Sequence, residues 1–139
     1  KSQRQGVELT AIGTLSSRLS LNAAYTYTDS VEWDAENAVY IDEVRRARHI
    51  ASLNLAWQAM DSLHINANVQ HNGSQTDVVF PNIVDLDSYT LVNLNVNFSA
   101  TEKLDVYLRL DNLFDEDYEE VFSYQTLGFG ASLGVRFSL

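Results

Sequence analysis

Along most of the chain, apolar and polar positions exchange at every residue. Leu19, Leu21, Ala23, Tyr25 and Tyr27 alternate with Arg18, Ser20, Asn22, Ala24, Thr26 and Thr28. A period of two puts successive side chains on opposite faces of a strand, so this stretch predicts one strand of about ten residues. The pattern returns with Val7, Leu9, Ala11 and Gly13, with Ala51, Leu53, Leu55 and Trp57, and with Leu63, Ile65, Ala67 and Val69. It continues with Val92, Leu94, Val96 and Phe98, with Leu104, Val106, Leu108 and Leu110, and finally with every second residue from Leu127 to Leu139. About seven strands are predicted, nearly all longer than the usual ~5–6 residues.

The connections alternate too. Short ones fall at LSSR, AMDS and SATEK, and long ones at 29–47, 72–88 and 112–126. Short turns at one end and long loops at the other predict an antiparallel up-and-down meander with two different ends. The single proline, Pro81, falls in a long loop, where it costs no ladder bond.

Two architectures share this pattern: a soluble lipocalin-like barrel with the apolar face inside, and a transmembrane barrel with that face in lipid. The polar face separates them. It is built from Asn, Ser, Thr, Gln and Gly with few charges, whereas a soluble surface carries roughly 25–35% charged residues. Aromatic residues on the apolar side cluster at strand ends, with Tyr25, Tyr27, Tyr89 and Phe129 toward the long loops and Trp57, Phe98 and Phe137 toward the short turns. Two such belts around an aliphatic band match a bilayer with ~25 Å of apolar height. Strands of about ten residues are the length that crosses it at a tilt. The expected fold is therefore all-β, an antiparallel up-and-down transmembrane β-barrel segment. A strand count of seven cannot close alone, because bacterial barrels have even strand numbers.

Charge sharpens the picture. The net charge is −10, and 15 of the 19 acidic residues fall in 29–44, 77–87 and 111–120, which hold no Lys or Arg. Such acidity excludes a nucleic-acid partner, which needs clustered cations. There is no cysteine, hence no disulfide framework or thiolate metal site. His49, His64 and His71 have no ligand spacing on one face and read as ordinary rim or lumen residues, so no metal and no cofactor is expected. Asp115, Glu116, Asp117, Glu119 and Glu120 lack the glycine-pivoted spacing of a calcium loop and read as a solvated acidic loop or one bridging lipopolysaccharide through divalent ions. No nucleophile elbow or phosphate loop is present, and no enzyme is expected; a barrel enzyme would have only His71 and the rim acids as general bases.

One stretch carries a family likeness. Asn112-Leu113-Phe114-Asp115 followed by Asp117-Tyr118 resembles the NLFD-x-DY motif before the final strand of TonB-dependent outer-membrane receptors. Tyr124-Gln125-Thr126-x-Gly128 is similar to the cobalamin (vitamin B12) receptor branch, and Gly6-Val7-Glu8, Arg45-Arg46-Ala47 and Leu91-Val92-Asn93-Leu94 resemble other pieces of that barrel's C-terminal half. The resemblance implies a 22-stranded barrel in the outer membrane of a Gram-negative bacterium. Residues 1–139 would be its C-terminal part, without the plug domain. It implies import of a scarce small-molecule ligand, cobalamin or a ferric siderophore, with outer-membrane lipid, lipopolysaccharide, the rest of the barrel and plug, and the TonB complex, reached through the missing N-terminal part, as partners. The family usually ends in Phe or Trp; here Leu139 stands last and Phe137 would share that role.

Candidate ligand contacts follow from the loops. Trp33, Tyr40, Phe80, Tyr118, Phe122 and Tyr124 are expected to project from them and to stack on a large planar or corrin-like ligand, or else to pack loop on loop. Arg45, Arg46 and Arg48 are expected to pair with the acidic loops or with an anionic ligand. The alternatives to an importer are the soluble lipocalin-like ligand-binding barrel and a structural or adhesive outer-membrane barrel.

Overall fold

The computed structural model describes residues 1–138. Leu139, and with it the expectation for the last residue, lies outside them. Seven long strands form one antiparallel meander: β1 (Ser2–Ser16), β2 (Leu19–Asp34), β4 (His49–Met60), β5 (Leu63–Asn72), β8 (Tyr89–Thr101), β9 (Leu104–Asp111) and β10 (Gly130–Phe137). The short β3 (Val39–Asp42) folds back on the end of β2, and β6 (Gln75–Val79) with β7 (Asn82–Leu86) makes a separate hairpin in the second long loop. Strands β1 and β10 pair on one side only, so the sheet is an open arc of barrel wall.

Register turns the alternation into two continuous faces. Ala23 pairs with Leu53, Leu53 with Val69, Val69 with Val92, and further along Leu94 with Leu110 and Leu110 with Ala131. On the other face Asn22 pairs with Asn54, Asn54 with Asn68, and Asn68 with Asn93. Their amides form a ladder: Asn68 Nδ2 donates to Asn54 Oδ1 at 2.8 Å and Asn93 Nδ2 to Asn68 Oδ1 at 3.4 Å. A hollow of about 350 Å³ opens on this polar face, spanning β1 to β8 and lined by Asn22, Asn54, Asn66, Asn68 and Asn95. The polar face is therefore the concave one, opposite to what a soluble ligand-binding barrel requires.

No packed interior lies between the faces. Among the described residues, the only buried apolar side chains are Ala47 and Leu86, both in the outer loops. A water-soluble domain of this length buries most of its apolar surface, so here lipid must cover the convex band.

At each short turn one residue (Leu15, Ala59 or Ala100) drops out of register just before the chain reverses. These bulges tighten the twist at the barrel rim. Adjacent turns are joined by Arg18 and Asp61 at 2.7 Å. Gly134 has a specific reason: a Cβ there would lie 2.0 Å from Cζ of Tyr107, whose ring covers it on the lumenal face.

Three expectations need correction. Strands β1 and β2 run well past the predicted stretch, Ser2–Gly6 pairing with Thr28–Glu32, because above the bilayer both faces are wet and ladder bonds persist without hydrophobic alternation. The last strand starts at Gly130 rather than at Leu127, because the Leu127 carbonyl and the Phe129 N–H are engaged by Asn112 and Asp115 side chains. Tyr89 pairs with Asn72 and shares the parity of Asn93, so it faces the lumen and not the lipid belt.

The assignment of faces has a direct test. In the full-length barrel, Leu94→Arg on the convex band should cost about 2–4 kcal/mol, while Asn95→Arg on the concave face should cost less than half of that. Reversible unfolding in lipid vesicles checks it, and equal costs would refute the assignment.

Candidate functional site

The long loops form the outer rim, and each is anchored by a carboxylate or amide held inside it. Asn112, at the end of β9, takes the left-handed φ of 47°, a conformation Asn tolerates better than most residues. It is 5% exposed. Its backbone N–H donates to Asn93 Oδ1 at 2.9 Å, so the asparagine ladder of the wall ends on the loop. Its side chain accepts from Glu116 N at 2.9 Å and donates to Glu116 O at 2.9 Å and Leu127 O at 3.4 Å. Asp115, φ 53°, accepts from Phe129 N at 2.7 Å. That oxygen would lie 2.6 Å from a Cβ on residue 128, which explains Gly128 as a seat for Asp115. The Asn112–Asp115 motif is thus a turn clamp that launches β10, and Phe114 beside it is largely exposed.

Asp77 on β6 is the most deeply buried side chain among the described residues, 1% exposed. Its Oδ1 accepts from Arg45 Nε and from Val78 N, both at 2.7 Å, and its Oδ2 accepts from Phe122 N at 2.9 Å. One carboxylate therefore joins all three long loops. Arg45, φ 57°, adds a backbone bond from its N–H to Thr76 O at 2.7 Å, and Gln75 Nε2 donates to Glu120 O at 3.0 Å. The Phe122 amide, then the Arg45 guanidinium and the Val78 amide, hold the Asp77 carboxyl below the usual carboxylate range.

Glu43 plays the same part nearer β1. Hydrogen bonds from Arg4 and Ser30 bring its pKa down to about 2. Arg46 Nε stands 3.9 Å from Glu43, and Arg48 Nη2 binds Asp42 at 2.7 Å.

The sequence-based candidates thus separate. Arg45 and Phe122 meet through Asp77, as structural ties. Trp33 and Tyr40 are register partners packed edge to face at 5.1 Å, and they share the parity of Tyr25 and Tyr27, on the convex side away from the lumen. Tyr118 tilts onto Tyr89 with ring centroids 4.4 Å apart, and the Tyr89 hydroxyl donates to Glu120 at 3.3 Å. Phe80, 92% exposed, caps the β6–β7 turn, and Tyr124, 72% exposed, stands in the third loop. The six aromatics do not converge on one stacking site. Arg46 lines a cavity of about 440 Å³ between the first two loops. The sequence reading gives Asp77 and Glu43 no individual role and Tyr89 only a place in the aromatic belt; an acid directly before the apolar pair Val78-Val79 is the available signal for the first. Among the described residues no cluster could hold a metal ion.

A polar concave wall, a lipid-facing convex band and a linked outer rim define a segment of a transmembrane β-barrel. Residues 1–113 match the family described as TonB dependent receptor-like, beta-barrel, and the chain belongs to that family. It is a family of outer-membrane receptors and transporters, and the outer membrane of a Gram-negative bacterium is the chain's location. The vitamin B12 transporter BtuB of Photobacterium profundum is 29% identical over 135 residues, covering 96% of this chain and 21% of that protein. The iron-regulated outer membrane virulence protein of Vibrio cholerae serotype O1 is 26% identical over 126 residues, 84% of this chain and 18% of its own length. The siderophore receptor PiuA from Acinetobacter baumannii has the same fold here, with a TM-score of 0.81 at 20% identity over 98% of this chain and 22% of that one. The chain spans about a fifth of the length of these relatives.

Two substitutions test the anchors in the full-length barrel. Asn112→Ala removes a buried, multiply bonded amide and should destabilise the third loop by about 2–3 kcal/mol, read as new protease cleavage between 113 and 129. Asp77→Ala should speed hydrogen exchange at the Phe122 amide at least ten-fold, about 1.4 kcal/mol or more of lost protection. In the wild type, the folded-state pKa of Asp77 lies below its unfolded value, so its contribution is complete above about pH 4 and is lost as pH falls through the folded value. Loop protection, corrected for intrinsic exchange, should therefore match at pH 7 and pH 5 and fall only below about pH 4.

Proposed function

We propose that this chain forms part of the wall and outer gate of a TonB-dependent importer of a scarce ligand, cobalamin or a ferric siderophore. The supporting observation is the polar, concave asparagine wall continuing into three outer loops tied by Asp77, in a chain of the receptor family. Neutral amides line a path that a polar solute can pass, while the cross-linked loops present one gate. On this reading residues 1–139 are the C-terminal part of the barrel, completed by further strands and a plug. The energy comes from the TonB complex acting through an N-terminal part, and outer-membrane lipid and lipopolysaccharide surround the convex band. Binding and gating need no covalent chemistry. Arg46, Phe80, Tyr118, Phe122 and Tyr124 are the proposed ligand-side residues at the rim; Trp33, Tyr40 and Arg45 support it.

Full-length receptor restored to a receptor-deleted strain should give saturable uptake of radiolabelled cobalamin or ferric siderophore, abolished when TonB is removed. Saturable uptake that persists without TonB, or none with either ligand class despite a folded barrel, would sink the proposal.

A further inference from the structure

The cavity at Arg46 differs in chemistry from the aromatic loop tips. About 440 Å³ in volume, it lies between the first loop and the β6–β7 hairpin, and its lining includes Arg46, Ser74, Thr76, Asp85 and Asp87. That volume is within the range of small-molecule sites. Leu86 is its single apolar lining residue, and no aromatic side chain touches it. Such a cavity cannot hold its occupant by stacking; it must use hydrogen bonds and charge.

Two observations make it a formed cavity rather than a gap between mobile loops. Its two walls are cross-linked by the residue next to Arg46, since Arg45 donates its backbone N–H to Thr76 O at 2.7 Å and its Nε to buried Asp77 at 2.7 Å. Leu86, 3% exposed, fixes the far wall between Asp85 and Asp87. Ser30 at its edge has the parity of Asn22, so the cavity meets the lumenal side of the rim.

The charged groups divide sharply. Arg48 is committed to Asp42 at 2.7 Å, whereas Arg46 has only the 3.9 Å approach to Glu43, an acceptor already bonded to Arg4 and Ser30. Asp85 and Asp87 have no side-chain hydrogen bond or ion pair among the described residues. One guanidinium with free donors thus shares the cavity with two carboxylates with free acceptors. A purely anionic solute would meet the aspartates, and a purely cationic one would meet Arg46.

We infer that this cavity is the ligand-recognition site of the importer and that it takes a polar, peptide-like small molecule bearing both a carboxylate, bound by Arg46, and ammonium or amide N–H donors, bound by Asp85 and Asp87. The inference rests on the import reading above. Arg45 and Arg46 then have separate roles: the first holds the walls together, and the second makes the bidentate contact that its planar donors favour.

The test uses the full-length receptor in detergent micelles with three probes: a ferric peptide-hydroxamate chelate carrying a free carboxylate and amine, a ferric tris-catecholate, and cyanocobalamin. The peptide chelate should bind. Arg46→Gln should weaken it at least ten-fold with Arg46→Lys recovering part of the loss, and Asp85→Asn with Asp87→Asn should weaken it similarly. The Arg46→Gln effect should disappear for the amidated chelate lacking the carboxylate. Binding of the catecholate or cyanocobalamin instead of the peptide chelate would overturn the ligand class and leave import intact, as would peptide binding that survives both sets of substitutions but is lost in Tyr124→Ala. A folded receptor that binds none of the probes would overturn the import reading with it.

Discussion

A chain of 139 residues whose buried apolar side chains are Ala47 and Leu86 among the described residues has no interior of its own to fold around. Its convex band of Leu, Val, Ile and Ala finds its nonpolar environment in lipid, and the rest follows from that constraint. In hydrocarbon no backbone group can be left without a partner, so the strands must be long, antiparallel and continuously laddered, and the arc must continue into further strands at β1 and β10. With the apolar side chains turned outward, the same alternation turns the amides inward, and the asparagine ladder from Asn54 to Asn112 is its consequence.

Outside the bilayer the organising force changes. The outer loops bury few apolar side chains, Ala47 and Leu86 among the described residues, and buried polar groups hold them instead. Asp77 gathers a guanidinium and two amides from three loops, while Glu43 gathers Arg4 and Ser30. A buried carboxylate is costly unless its acceptors are satisfied, and here both Asp77 oxygens are. The arrangement makes the loops one body and leaves at its edge Arg46, with only its 3.9 Å approach to Glu43, and Asp85 and Asp87, unpaired among the described residues, where the proposed ligand would bind without breaking the rim.

Part of the rim was legible beforehand. The length of the long loops, their acidity and the candidate aromatics were all visible, as were the two faces and the seven spanning strands. What alternation could not reveal lies where both faces are wet: the upper halves of β1 and β2, the β2–β3 fold-back and the β6–β7 hairpin, in which ladder bonds persist without periodicity. Tyr89 was assigned to the lipid belt because it is aromatic and close to a strand end; its register with Asn72 sends it inward. The adjacent arginines could not be told apart, because which one reaches Asp77 depends on the backbone turn at Arg45, whose φ is 57°.

The sequence by itself determined that this is a membrane-spanning antiparallel wall and, Tyr89 apart, which residues face lipid, because a period of two and a hydrocarbon solvent leave one workable arrangement. The Asn112–Asp115 stretch likewise pointed to the family. Only the tertiary structure decided what those residues do, since the partners of Asn112, Asp115 and Asp77 lie on segments up to 45 residues away in the chain. Hydrogen bonds at such separation leave no periodic trace: they depend on strand register and loop path, which appear only when the wall is assembled.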